Sequence, residues 1–73
     1  MWNLNRIPVQ SSNLRSVGYD PKTRVLEIEF HSGGIYGYSN VPENIHSTLI
    51  NAPSKGKYFA RYIKDKFPTN KIR

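Results

Sequence analysis

The sequence contains no cysteine, which excludes a disulfide framework, a thiolate metal site and a cysteine nucleophile. A small domain without disulfides fits a reducing compartment, so a cytoplasmic location is expected. Histidine is almost as scarce. His31 and His46 are the only two, neither has a second ligand at metal spacing, and both read as surface or rim residues rather than a zinc site. No apolar stretch approaches the ~20 residues of a membrane span. The start, Met1-Trp2-Asn3-Leu4-Asn5-Arg6, lacks the apolar run of a signal peptide. The one close carboxylate pair, Glu27 and Glu29, shares a strand face and reads as the solvated side of that strand rather than as an acid–base pair. There is no G-x-S-x-G elbow, and neither histidine has an evident orienting acid. A non-enzymatic protein without cofactor or metal is therefore expected. A chain of 73 residues holds one small domain, which buries only roughly 60% of its unfolded surface and has little room for a deep, closed pocket.

Acidic residues are few, and their placement is informative. Five Asp or Glu stand against eleven Lys or Arg, a net charge of +6. Residues 1–54 carry Arg6, Arg15, Lys22 and Arg24 against Asp20, Glu27, Glu29 and Glu43, and are neutral. Residues 55–73 carry Lys55, Lys57, Arg61, Lys64, Lys66, Lys71 and Arg73 against Asp65 alone. The whole excess sits in the last quarter of the chain, an asymmetry that points to nucleic acid or another anionic surface. The plainer reading is a solvated helix face that keeps a small protein soluble.

The hydropathy pattern predicts an α+β fold, a three-stranded antiparallel meander followed by two helices on one sheet face (βββαα). Residues 14–19 read as the first strand. Asp20-Pro21-Lys22-Thr23 is a turn, with Asp at its first position and Pro presetting φ at the second. Residues 24–30 alternate, with Leu26, Ile28 and Phe30 on one face and Glu27 and Glu29 on the other. Ser32-Gly33-Gly34 turns the chain into a third strand, 35–39. The period then lengthens. Ile45, Leu49 and Ala52 mark a helix over 42–51 that opens on Pro42 and ends before Pro53. Ser54 caps a second helix over 55–67, with Phe59, Tyr62, Ile63 and Phe67 on its apolar face. Trp2, Leu4, Ile7 and Val9 could pack on the domain, although Pro8 argues against a central strand. The expected core is about 9–67, with flexible arms at 1–8 and 68–73, the latter polar and fraying from Pro68.

Three segments are candidates for binding. At Ser54-Lys55-Gly56-Lys57 a helix start offers free N–H groups, and Gly56 would let a phosphate approach the backbone beside Lys55 and Lys57. The competing reading is a plain cap in which Gly56 permits close packing. Along the second helix Lys57, Arg61 and Lys64 recur about one turn apart and could track phosphates, with Tyr58 beside them to stack on a base. Tyr36 and Tyr38 share one face of the third strand. A two-residue loop before them would set both on the open face beside Glu27 and Glu29, where they could stack bases. A three-residue loop, Ser32-Gly33-Gly34, would set them on the core face beside Ile28 and Phe30. The frequency of three-residue glycine loops favours the core face, and carboxylates would repel a phosphate backbone from the other.

The ordered set of Val9, Ser11-Ser12, Gly18-Tyr19-Asp20, Leu26-x-Ile28-x-Phe30, Gly34, Tyr36-x-Tyr38 and Val41-Pro42 continues through Ala52-x-Ser54-x-Gly56-x-Tyr58-Phe59 to Ile63-Lys64. From Val9 to Phe67 it resembles the KTSC domain, a family named for a C-terminal extension of some lysyl-tRNA synthetases that also occurs as short single-domain bacterial proteins. Pro53 stands where a small or polar residue is more usual. The resemblance implies a stand-alone form of that domain, and its association with a tRNA enzyme implies RNA as a ligand. The expected function is a monomeric, non-enzymatic module binding RNA or single-stranded nucleic acid through Lys55, Gly56, Lys57, Tyr58, Arg61 and Lys64. The alternative is a phage or mobile-element accessory module that docks on an acidic protein, with tyrosines as anchors. A membrane surface is a weaker partner, since the apolar helix face is needed for the core.

Overall fold

The computed structural model describes residues 6–73; the expectations for Trp2 and Leu4 fall outside them. The strands are β1 (Ile7–Pro8), β2 (Leu14–Asp20), β3 (Val25–Phe30), β4 (Ile35–Tyr38) and β5 (Thr69–Lys71), and the helices are α1 (Glu43–Asn51) and α2 (Lys55–Tyr62). All five strands form one antiparallel sheet in the order β1-β2-β3-β4-β5. The α+β class and the central meander are as expected. The sheet, however, has four strands before the helices and one after them.

The two extra strands take up the described end of the expected first arm, residues 7–8, and part of the second, residues 69–71. Ile7 and Pro8 pair with Val17 and Ser16 on one edge, a place where proline's missing N–H costs no ladder bond. On the other edge Thr69, Asn70 and Lys71 pair with Tyr38, Gly37 and Tyr36. A polar tail frays when its backbone has only water to bond. Here the free edge of β4 offers partners, so Ser39 N–H donates to the Pro68 carbonyl at 3.0 Å and Ile72 N–H to the Ile35 carbonyl at 2.8 Å.

Leu14, Val17, Leu26, Ile28 and Tyr38 from the sheet pack with Val41, Leu49, Phe59 and Ile63. Leu14 and Val17 lie three apart and still share a face because the ladder shifts between Leu14 and Ser16, a bulge that throws Arg15 outward. At the far end of the core the Tyr19 hydroxyl donates to the Val41 carbonyl at 2.5 Å, and its ring stacks on His46 at 4.7 Å.

The β3–β4 hairpin has a three-residue loop, but of His31-Ser32-Gly33. Gly33 N–H donates to the Phe30 carbonyl and Phe30 N–H to the Gly34 carbonyl, each at 2.9 Å. Gly33 takes φ +105°, a conformation that favours glycine. Relative to a Ser32-Gly33-Gly34 loop the register moves by two, so Tyr36 faces Ile28 and Tyr38 faces Leu26. A two-residue shift preserves the face, and both tyrosines stand on the core side.

The glutamates on the opposite side are not solvated as expected. Glu27 is 0% exposed and forms an ion pair with Arg6, while Glu29 accepts from the Ser16 hydroxyl at 2.9 Å. Both cross-strand neighbours of Glu27 are glycines, Gly18 and Gly37. With no side chain between, the guanidinium of Arg6 reaches across Gly18 to the carboxylate.

Candidate nucleic-acid interface

The start of α2 is built as a cap. Lys57 N–H donates to the Ser54 hydroxyl at 3.4 Å, and the Lys55 ammonium turns back to donate to the Ala52 carbonyl at 3.2 Å. Gly56 lies against the loop before β2, and a Cβ there would stand 3.0 Å from the Asn13 amide nitrogen. Lys55 is thus engaged at the end of α1, while Gly56 packs on Asn13 and lines a hollow with Phe30 and His31.

Lys57, Arg61 and Lys64 are all exposed. Among the described residues one ion pair forms, Arg6 to Glu27, and none of these three cations takes part in it. Lys57 and Arg61 are one turn, about 6 Å, apart along the axis. The helix is shorter than the expected 55–67. The Phe59 carbonyl accepts from both Ile63 N–H at 3.0 Å and Lys64 N–H at 2.8 Å, and Asp65 at φ +61° turns the chain away toward β5. Lys64 thus stands in the terminal turn, still beside the helical cations, and Phe67 packs against the core from outside the helix.

The aromatic beside these cations differs from expectation. Phe59 and Ile63, four apart, form the buried line of α2. The next line, about 100° around, is Tyr58 and Tyr62, whose rings meet at 4.7 Å. Tyr58 is half-buried against the core, whereas Tyr62 is 48% exposed. Tyr62 is therefore the exposed aromatic beside the cations, and the sequence reading assigned it to the core. The signal was available in the spacing, because Phe59 and Ile63 already supply a complete apolar line for two turns. The Arg61 guanidinium lies 5.9 Å from the Tyr62 ring centroid, and both line a shallow groove with Pro53, Ser54, Lys57 and Tyr58.

On the other side of the cations is a second hollow. Tyr38 lies in the core, and burial pushes its phenol up to about 12. Tyr36 is half-buried at the lip of a cleft between α2 and the β3–β4 hairpin, and Lys64 stands on its rim. Phe30, placed by the sequence in the core, lines the same cleft. The structure thus brings Tyr36 and Lys64 together, and leaves Lys57 and Arg61 on the ridge between cleft and groove.

Of the histidines, His31 is exposed and its Nε2 lies 2.9 Å from the Ser11 carbonyl oxygen. His46, stacked on Tyr19, has its pKa lowered by burial, an effect partly opposed by Glu43. Among the described residues no group of three or more His, Asp or Glu could hold a metal ion. No described helix is long and apolar enough to cross a membrane.

The comparisons with known proteins agree on one family. The crystal structure of a KTSC domain protein from Yersinia pestis superposes with a TM-score of 0.93 at 46% identity, covering 97% of this chain and all of that one. An uncharacterized protein of Stutzerimonas stutzeri is 44% identical over 61 residues, 84% of this chain and 86% of its own length. A lysine–tRNA ligase of Nostoc punctiforme is 45% identical over 58 residues, which span 80% of this chain and 10% of the ligase. The model of the KTSC domain matches residues 10–67, the stretch that holds β2 through α2 and all of the cleft's lining but Thr69, and the chain therefore belongs to the KTSC domain family.

Proposed function

We propose that the protein binds RNA or single-stranded nucleic acid along the exposed ridge of α2, without catalysing a reaction on it. Lys57, Arg61 and Lys64 contact successive phosphates, and Tyr62, beside Arg61, stacks on a base. The observation that carries this reading is the segregation of charge. A neutral body of 54 residues bears the whole +6 on its final segment, and the ridge cations there are exposed and outside any ion pair formed among the described residues. The kinship with a segment of a lysine–tRNA ligase supports RNA as the ligand class. In this reading the protein acts as a monomer in the cytoplasm, where its ligand is single-stranded and accessible.

Fluorescence anisotropy with a short single-stranded RNA at two salt concentrations tests the proposal. Three contacts to a single strand predict a slope of about −2 in log affinity against log salt. Lys57→Glu/Arg61→Glu is expected to abolish most of the binding and flatten the slope. Unchanged affinity in that variant, or wild-type binding without salt dependence, overturns the reading. An acidic protein retained on the wild-type ridge after nuclease treatment, and lost from the charge-reversed variant, would replace it with protein docking.

A further inference from the structure

The ridge leaves unexplained the cleft beside it. Four aromatic rings converge there. Phe30 meets Tyr36 edge-on, with centroids 5.8 Å apart, and meets Phe59 edge-on at 5.3 Å. Phe59 meets Tyr38 in the same manner at 5.6 Å. In a domain this small such a cluster would ordinarily be closed over by the next element. Here α2 stops at Tyr62, Asp65 at φ +61° carries the chain aside, and β5 arrives only at the far rim, at Thr69. What is left is an open hollow of about 380 Å³ beneath Lys64. A second hollow of about 360 Å³ continues along α2 past His31, Gly56 and Ala60, and the two share Phe30, Phe59 and Lys64.

The lining defines the ligand. Ring faces and edges suit a flat aromatic group. The volume lies near the lower end of the range for small-molecule sites, roughly 300–1,000 Å³, and suits a single ring system. The polar rim offers the Lys64 ammonium as donor, and as acceptors the Asp65 carboxylate and the Thr69 hydroxyl, whose proton goes to the Phe67 carbonyl at 3.0 Å, so the ligand carries an anionic group toward Lys64 and a hydrogen-bond-donating edge. Lys64 is also the last cation of the α2 ridge. A strand whose phosphates follow Lys57, Arg61 and Lys64 is led to the mouth of the cleft.

We infer that this cleft receives one unpaired nucleobase, extruded from the strand held on the ridge and packed against Tyr36. The inference rests on the ridge reading and adds to it a base-selective pocket. Tyr36 is set in place before the ligand arrives. Its ring lies over Gly34, so that a Cβ on Gly34 would stand 3.1 Å from the Tyr36 ring. Its backbone is pinned between Ile28 and Lys71 in the middle of the ladder. A base entering such a site does so without reordering the protein.

The experiment uses the intact protein with short single-stranded oligonucleotides carrying 2-aminopurine, whose fluorescence is quenched by stacking. Anisotropy on the same samples reads total affinity. The wild type is expected to quench the probe at one position and to bind with the salt slope given above. Tyr36→Leu is expected to lose the quenching and about tenfold in affinity, consistent with the loss of one base–aromatic stack, while keeping the salt slope. Thr69→Trp, at an exposed edge-strand position on the rim, fills the cleft without removing anything from the core. It is expected to reproduce both losses, which keeps the test valid should Tyr36→Leu fail to fold. Salt-dependent binding without quenching at any position, or quenching that survives both variants, overturns the base pocket and leaves the ridge reading standing. Absence of salt-dependent binding overturns the ridge reading, and the pocket with it.

Discussion

At the scale of single residues, the sheet face away from the helices holds a buried ion pair where an alternating strand promised solvent. Glu27 Oε2 and Arg6 Nε are both buried without a hydrogen-bond partner among the described residues, so the fully buried carboxylate leans on Arg6, whose side chain is itself 26% exposed. Removing the cation strands a carboxylate in a site it cannot leave. Arg6→Ala is therefore expected to cost about 3 kcal/mol, while the neutral isostere Glu27→Gln costs less because the Arg6 head can turn outward. Urea denaturation of the two variants checks the order, and equal or negligible costs would contradict it. His46 gives a pH signature. Because burial lowers its folded pKa, the unfolded chain takes up the proton first, at about pH 6.5. Stability is then greatest above that pH and declines as pH falls through it. His46→Phe keeps the stack on Tyr19 and is expected to flatten that decline in thermal midpoints measured on either side of that pH.

At the scale of elements, β2, β3, β4, α1 and α2 were legible because each announces itself locally. The alternation of Leu26, Ile28 and Phe30, the glycines after Phe30 and the prolines at both ends of α1 need no long-range information. The edge strands were illegible for the opposite reason. Ile7–Pro8 is too short, and Thr69–Lys71 both too short and too polar, to carry a period. They are strands because β2 and β4 leave free edges, which the chain's own ends are placed to fill. Truncation after Pro68 removes the bonds that β5 and the residues beyond it make to β4. Since each such bond is worth a net ~1 kcal/mol and ordering the tail offsets part of that, the expected loss is about 2 kcal/mol. Denaturation of the truncated chain measures it. An unchanged midpoint would mean that the tail frays in solution after all.

At the scale of the molecule, size limits what the ridge can achieve. The extents are 28 × 25 × 21 Å, and Lys57 to Lys64, the latter in the turn that ends α2, spans roughly 10 Å. A footprint of that length meets about three phosphates, so binding is expected to be weak, strongly salt-dependent and indifferent to sequence along the ridge. Any preference for a base has to come from the cleft. The cationic segment was determined by the sequence itself, since charge is additive and needs no coordinates to be counted. The helical spacing that aligns Lys57 with Arg61 follows from the same local rule. Which aromatics border those cations was decided by the tertiary structure. The packing of Phe59 and Ile63 into the core leaves Tyr62 outside it, and the early end of α2 leaves Lys64 on a rim and keeps Phe30 and Tyr36 open to the cleft. The buried Arg6–Glu27 pair belongs with these, because a strand's pattern names its two faces but cannot say what the rest of the chain will lay across them.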